Sequence, residues 1–324
     1  MSAVRGSAAP LRRASAWLSR TLLEPPLPLV AVELRPRAVA VVRLGRDGTR
    51  LGLAAAAAVE LAPGVIEASL SQPNVLDPDA LRAALRTALE RAGALSGGPV
   101  SLVIPDPAVR LTLLPSEGLK GLRGRRGEAE ETVRFRLNKA LPADFDVRSA
   151  RLAWRAVSPD ELLVAVARDE VVRSYEEALS SLGLHPGLVE PAGLALASLG
   201  EAADDGAEQL LVNWDHGYVS FQVRRGTRPI LLRTLPREDG KEAVARHAEQ
   251  TLRFHREQLG GRGFDDVALR SAALDPAEAS EAIASATGVF PRLVRPWEAL
   301  GDSGDGEAAQ AVAGAAACVL RRVA

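Results

Sequence analysis

The segment Gln209–Pro236 constrains the fold of this 324-residue chain more than any other stretch. Its apolar and polar residues alternate in three short runs, which is the two-residue period of half-buried β-strands. Leu210–Val212 is predicted as the first strand, Val219–Val223 as the second and Ile230–Leu232 as the third. Gly217 lies in the first connecting turn. Three sequential strands joined by tight turns predict an antiparallel meander at the centre of a larger domain.

Composition narrows the class of protein. Apolar residues make up 47% of the chain and charged residues 25%, which is ordinary for a globular protein long enough to form two domains. The net charge of −1 gives no electrostatic basis for binding nucleic acid. Cys318 is the only cysteine, so neither an intramolecular disulfide nor a cysteine-rich metal site is possible. With no apolar run long enough to span a bilayer, we expect a cytoplasmic protein.

Strands and helices alternate along the rest of the chain. Strands are predicted over 29–33, 39–44, 49–61, 100–104, 109–114, 148–157, 161–167, 267–269 and 290–294. Helices are predicted over 78–92, 128–140, 169–182, 241–259, 277–287 and 308–320. We expect an arm over 1–28, a first domain over 29–104 and 169–206, a small inserted unit over 105–168, and a second domain over 207–324. This order is typical of an α/β fold with an inserted α+β subdomain.

The N-terminal arm, residues 1–28, has two interpretations. It contains four arginines and a single acidic residue, Glu24, and three prolines near its end stop any helix. A basic amphipathic arm would lie on an anionic membrane surface as a peripheral contact. A disordered leader is the preferred interpretation, since chain ends are usually mobile.

Two segments carry a family resemblance. Glu161–Leu199 contains a strand, a helix, a Gly-Leu-x-Pro turn and an apolar helix, and Val100–Pro115 is a buried strand followed by a proline-containing crossing. In order and spacing the chain resembles the PilM family of type IV pilus assembly proteins, relatives of the cell-division protein FtsA in the actin-like superfamily. The resemblance extends from Leu29 to the C-terminus. It implies a two-domain actin-like (FtsA/PilM-type) α/β fold with a small inserted α+β subdomain.

The chain departs from the family at its nucleotide-binding turns. Members that bind ATP carry two Asp-x-Gly turns and an adenosine-side Gly-Gly, because phosphate-binding backbone needs small residues. The matching positions here are Glu33, Leu34 and Arg35 in the first turn, Asn213, Asp215 and Gly217 in the second, and Arg270 and Ser271 at the third site. Pro36 also removes a backbone donor. We therefore expect no cofactor, with ATP and Mg²⁺ as the alternative. Arg35 and Arg37 could bind an anion in another way, and a solvated turn is the preferred interpretation of the two.

A peptide-binding surface is implied by the same resemblance. In the PilM family the small module and the first domain hold the cytoplasmic tail of an inner-membrane partner, PilN. Carried over to this chain, the tail would lie between the strand at 109–114 and the helix at 128–140. The candidate contacts are Arg110, Leu111, Arg134, Phe135 and Arg136. A solvated basic loop and helix is an equally good interpretation of 120–139 from its residues alone.

These observations lead to one functional hypothesis and two alternatives. The first is a non-catalytic cytoplasmic scaffold, peripheral at the inner membrane, in a type IV pilus or related secretion machine. It would bind a PilN-like partner and other components of that machine. The second is an active actin-fold ATPase or kinase with a divergent nucleotide site. The third is a GspL-like component of type II secretion.

Overall fold

The computed structural model describes residues 28–47, 50–119, 126–142, 145–199, 206–236, 240–297 and 306–320. The strands in these ranges are β1 Val30–Arg35, β2 Ala38–Asp47, β3 Arg50–Glu60, β4 Gly98–Ile104, β5 Arg110–Pro115, β6 Ala150–Ser158, β7 Glu161–Arg168, β8 Leu184–Pro191, β9 Glu208–Asp215, β10 Tyr218–Arg225, β11 Arg228–Pro236, β12 Asp266–Ser271 and β13 Arg292–Leu293. The helices are α1 Pro78–Arg91, α2 Arg126–Leu137, α3 Asp169–Ser180, α4 Ala192–Ala197, α5 Lys241–Gln258, α6 Pro276–Thr287 and α7 Gly306–Leu320.

The first sheet has the strand order β3-β2-β1-β4-β8. Strands β1, β2 and β3 form an antiparallel meander, and β4 and β8 run parallel to β1. Helix α1 packs on this sheet through Leu81, Leu85 and Leu89, all fully buried. The helix begins at the predicted residue, Pro78. The side chain of Asp77 caps this end by accepting a hydrogen bond from the N–H of Ala80 at 2.9 Å.

The second sheet repeats this topology with the order β11-β10-β9-β12-β13. The predicted three-strand meander is confirmed as β9, β10 and β11, with β12 and β13 added in parallel. Helices α5 and α6 cover one face, where Trp214 and Phe221 are fully buried. Trp214 therefore belongs to the core of this sheet and not to the turn that follows it.

A third, smaller sheet is inserted between β4 and α3 in the sequence. Its order is β5-β7-β6, and β7 is antiparallel to both neighbours. Helix α2 packs against it through Val133 and Leu137, which are fully buried. The predicted α/β fold with a small inserted α+β subdomain is confirmed.

Helix α7 lies between the two large sheets. It packs mainly against β1, β2, β4 and α4, and it also contacts β12. Alanines dominate its buried residues, so its backbone approaches both sheets closely. Cys318 is fully buried among them, as a small apolar side chain of the core. Because α7 packs against both sheets, the ends of β1, β9 and β12 lie close together beside it.

The basic arm predicted over 1–28 lies, apart from Pro28, outside the described residues. Within the described part of the chain, every helix is too short or too polar to cross a lipid bilayer.

Candidate functional site

The candidate site lies where β1, β9 and β12 end, between the two large sheets. Six of the eight positions predicted at the nucleotide-binding turns come together here and are buried: Glu33, Arg35, Asn213, Asp215, Arg270 and Ser271. Leu34 does not join them, because alternate residues of a strand point to opposite faces and its side chain packs in the core beneath α1. Gly217 lies in the turn after β9 with a φ of 78°, a conformation that favours glycine.

Asp215 is at the centre of the site, and its side chain is fully buried. Its Oδ2 lies 2.8 Å from Nε of Arg35 and 2.7 Å from Nη1 of Arg270, while its Oδ1 lies 3.1 Å from Nη2 of Arg35. Burial acts to raise the pKa of this carboxyl, but the charges of the two guanidinium groups outweigh it and hold the pKa well below the usual range. Asp215 is therefore ionised at neutral pH.

Arg270 connects Asp215 to the first sheet. Its guanidinium is fully buried and donates to Glu33 Oε1 at 3.1 Å, to Asn213 Oδ1 at 3.0 Å and to the carbonyl oxygen of Gln310 at 3.1 Å. Glu33 Oε2 accepts the N–H of Ala315 at 3.2 Å. We call Glu33, Arg35, Asp215 and Arg270 the buried ionic network. Its two acids and two arginines balance in charge.

Asp106 extends the polar core from the end of β4. Oδ1 accepts the N–H of Gly193 at 2.7 Å, and Oδ2 accepts hydrogen bonds from Asn213 Nδ2 at 2.9 Å and Ser220 Oγ at 2.5 Å. Burial raises the pKa of this carboxyl, and the three donors only partly oppose it. The sequence analysis assigned Asp106 no role, although an acidic residue between two prolines directly after a buried strand was a detectable signal.

The solvated-turn interpretation was wrong for Arg35. Its side chain is only 4% exposed, because the guanidinium turns inward to Asp215 and to the carbonyl oxygen of Ala311, 3.0 Å from Nη1. Arg37, two residues later, is exposed as expected. Sequence reasoning missed the inward turn because the matching carboxylate lies 180 residues away.

Two backbone donors beside the network already have partners. The N–H of His216 donates to Asp215 Oδ1 at 2.8 Å, and the N–H of Ser271 donates to Gln310 Oε1 at 3.1 Å. Pro36 has no N–H to offer. A triphosphate at these turns would therefore meet the carboxylate of Asp215 and few available donors. This set of residues does not fit a nucleotide phosphate.

An open cleft of about 630 Å³ borders the network on its solvent side. Arg35 and Arg37 line it from the first sheet, and His216 and Asp275 line it from the second. In the described part of the chain, His, Cys, Asp and Glu side chains form no group of three or more suited to a metal ion.

The predicted partner-binding residues lie on two elements of the structure, β5 and α2. Arg110 and Leu111 line a cavity of about 230 Å³ between β5 and the β10–β11 hairpin. Arg134 donates to the carbonyl oxygens of Val147 and Ala150, and Arg136 donates to those of Pro115 and Glu117, so both hold α2 in the small subdomain.

Phe135 is, with Arg110, a predicted contact that is exposed to solvent. Its side chain is 66% exposed on α2, and Nζ of Lys139 lies 5.1 Å from the centre of its ring. An exposed aromatic ring beside a cation is typical of protein-binding surfaces. Among the described strands, β5 lies at the edge of its sheet and pairs with β7.

No family model matches the sequence, and no curated protein matches it. A chain of the PilM–PilN type IV pilus biogenesis complex is similar in structure, with a TM-score of 0.73 and 21% identity over 93% of this chain and 100% of that chain. The cytoplasmic domain of EpsL, an inner-membrane component of the type II secretion system of Vibrio cholerae, has a TM-score of 0.47 and 11% identity over 76% of this chain and 83% of that one. EutJ from Carboxydothermus hydrogenoformans has a TM-score of 0.49 and 10% identity over 96% of this chain and 100% of that one. The likeness to the chain of the PilM–PilN complex confirms that this chain has the predicted PilM-type fold.

Proposed function

We propose that this chain is a non-catalytic scaffold of a type IV pilus or related secretion machine, and that it binds the cytoplasmic tail of a PilN-like inner-membrane protein. It would act in the cytoplasm, peripheral at the inner membrane. Two observations support the proposal. The fold is that of a chain from a PilM–PilN complex. At the positions of the nucleotide-binding turns, this chain has a buried ionic network instead of glycines.

The buried ionic network is the observation that carries the non-catalytic part of the proposal. Arg35 on β1 pairs with Asp215 on β9, and Arg270 on β12 pairs with Glu33 on β1. Both ion pairs therefore join the first sheet to the second. In members of the resembled family that bind ATP, the nucleotide-binding turns occupy these same positions. Here side chains of the protein join the two sheets, so their relative position would not require ATP.

We expect no binding of Mg-ATP at the ends of β1, β9 and β12. A nucleotide there would have to displace Arg35 from Asp215 and would place its phosphates beside that carboxylate. Equilibrium dialysis with radiolabelled ATP and Mg²⁺ should show no saturable binding at millimolar nucleotide, and phosphate release should equal that of a protein-free sample. Saturable binding that is lost in Asp215→Ala would favour the alternative, an actin-fold ATPase or kinase.

The partner would contact the small inserted subdomain. An extended peptide could pair with the edge strand β5, and the exposed ring of Phe135 on α2 would anchor a side chain. Arg134 and Arg136 would support this surface from within, since their hydrogen bonds fix α2 to the rest of the subdomain.

The tail-binding proposal predicts that the Phe135→Ala variant loses affinity for the tail peptide. We expect the affinity for a fluorescein-labelled tail peptide of the PilN-like protein from the same genome to fall by roughly tenfold or more, as for a buried aromatic anchor. Fluorescence anisotropy would measure it. Phe254→Ala is the matched control, because Phe254 is also an exposed phenylalanine, 45% exposed on α5 of the second domain. Equal affinities for the wild type and Phe135→Ala would contradict the proposed surface.

A further inference from the structure

Strand β3 is at one edge of the first sheet, with β2 beside it. The N–H of Leu61, the residue after β3, donates to the carbonyl oxygen of Arg37 at 2.8 Å. Because backbone groups alternate in direction along an antiparallel pair, the N–H and C=O groups of Ala56, Ala58 and Glu60 point away from β2. Within the described part of the chain, these outward groups have no backbone partner. One side of β3 is therefore open to another strand.

The sequence of β3 favours such an addition. Charged side chains and prolines usually prevent an edge strand from pairing with another chain. From Leu51 to Val59 the strand contains neither. Ala54, Ala56 and Ala58 are exposed, and their small side chains let a second strand approach closely. The register with β2 shifts at Ala54, as in a β-bulge, but the pairing over Ala55–Val59 is uninterrupted.

The other edge strands of the described sheets carry the features that the middle of β3 lacks. Strand β8 contains Pro186, and β11 contains Pro229. Strand β5 contains Arg110 and β6 contains Arg151, while β13 has only 2 residues. Among the described edges, β3 is therefore the one whose length, sequence and hydrogen bonding all suit the addition of a strand.

We propose that β3 pairs with β3 of a second copy of this chain, antiparallel and about a two-fold axis near Ala56. Alanine then lies opposite alanine at the centre of the pair. The same axis places the start of each strand beside the end of the other. By sequence these ends are Arg50 and Glu60, which have opposite charges. This self-complementary pattern identifies a second copy as the partner, and pairing of identical edges closes as a dimer.

The proposed pairing uses neither the buried ionic network nor Phe135, so it does not depend on the function proposed above. Its contact is mainly one pair of strands, which is a small interface, and small interfaces give weak and reversible association. The dimer should therefore depend on protein concentration.

Sedimentation velocity of the full chain up to about 200 μM tests this inference, and we expect a monomer–dimer equilibrium with a dissociation constant of about 1–100 μM. Ala56→Lys should raise that constant by roughly fivefold or more, because like charges then lie opposite each other at the axis. Ala58→Pro should do the same, since proline removes an outward N–H without removing a hydrogen bond to β2. Its thermal midpoint would show whether it remains folded, and Ala56→Lys keeps the test valid if it does not.

Ala153→Lys is the matched control, because Ala153 is also an exposed alanine on an edge strand, β6. Its dissociation constant should equal that of the wild type. Hydrogen exchange of residues 51–60 should also slow as the protein concentration rises. A wild type that is monomeric at every concentration would overturn the inference. So would a dimer that Ala56→Lys leaves unchanged, one that Ala153→Lys weakens equally, or one in which residues 51–60 exchange as fast as in the monomer.

Discussion

Replacing Arg270 with methionine should lower the free energy of unfolding by about 3–5 kcal/mol, the usual cost of removing one partner from a buried ion pair. The guanidinium of Arg270 is fully buried and contacts Glu33 and Asp215 on opposite sides. Methionine fills much of the same volume but leaves Glu33 with a single donor, the N–H of Ala315. Urea unfolding followed by circular dichroism would measure the change.

Two further variants test whether the lost charge is the cause. Arg82→Met removes an exposed arginine and should change the stability by only about 0–1 kcal/mol. The double variant Glu33→Leu with Arg270→Met should be more stable than Arg270→Met alone, because the unpaired carboxylate is gone and Asp215 retains Arg35. If Arg270→Met alone were as stable as the wild type, the network would contribute nothing to the free energy of unfolding.

The order of strands and helices was predictable because it depends on local patterns. Alternation over Val219–Val223 identified β10, and helical periodicity over 78–92 identified α1. Errors occur where local pattern is weak. No strand was predicted at β8, Leu184–Pro191, because His185, Pro186 and Gly187 interrupt its apolar pattern. The strand forms through its pairing with β4.

The candidate site was only half predictable. Its positions followed from the family resemblance, and six of eight meet in space. The contacts between their side chains could not be predicted. Arg35 pairs with Asp215, and Arg270 pairs with Glu33, only once the two sheets pack together. Single-residue reasoning treats an arginine in a turn as solvated, which is correct for Arg37 and wrong for Arg35. A buried ion pair depends on two residues that are distant in the sequence, and the pattern around either residue alone does not predict its partner.

Helix α7 offers a test in which packing and helix propensity have opposite effects. Gly314 lies in the middle of this helix, and a Cβ atom there would be 2.5 Å from Cδ and Oε1 of Glu33. Glu33 cannot move away without losing Arg270 and the N–H of Ala315. Propensity alone predicts that Gly314→Ala gains up to about 1 kcal/mol. We expect a loss of about 1–3 kcal/mol instead, as in other overpacked cores. Thermal and urea unfolding would measure the difference.

Gly127 provides the matched comparison, since it is a helical glycine with open space around it. It is exposed in the first turn of α2, and a Cβ there would meet nothing within 4 Å. Gly127→Ala should therefore stabilise the chain by up to about 1 kcal/mol. Opposite signs for the two variants would show that the glycine in α7 is required for the close approach of Glu33. If Gly314→Ala also stabilises the chain, Glu33 is free to move, and the network is looser than the distances between its atoms indicate.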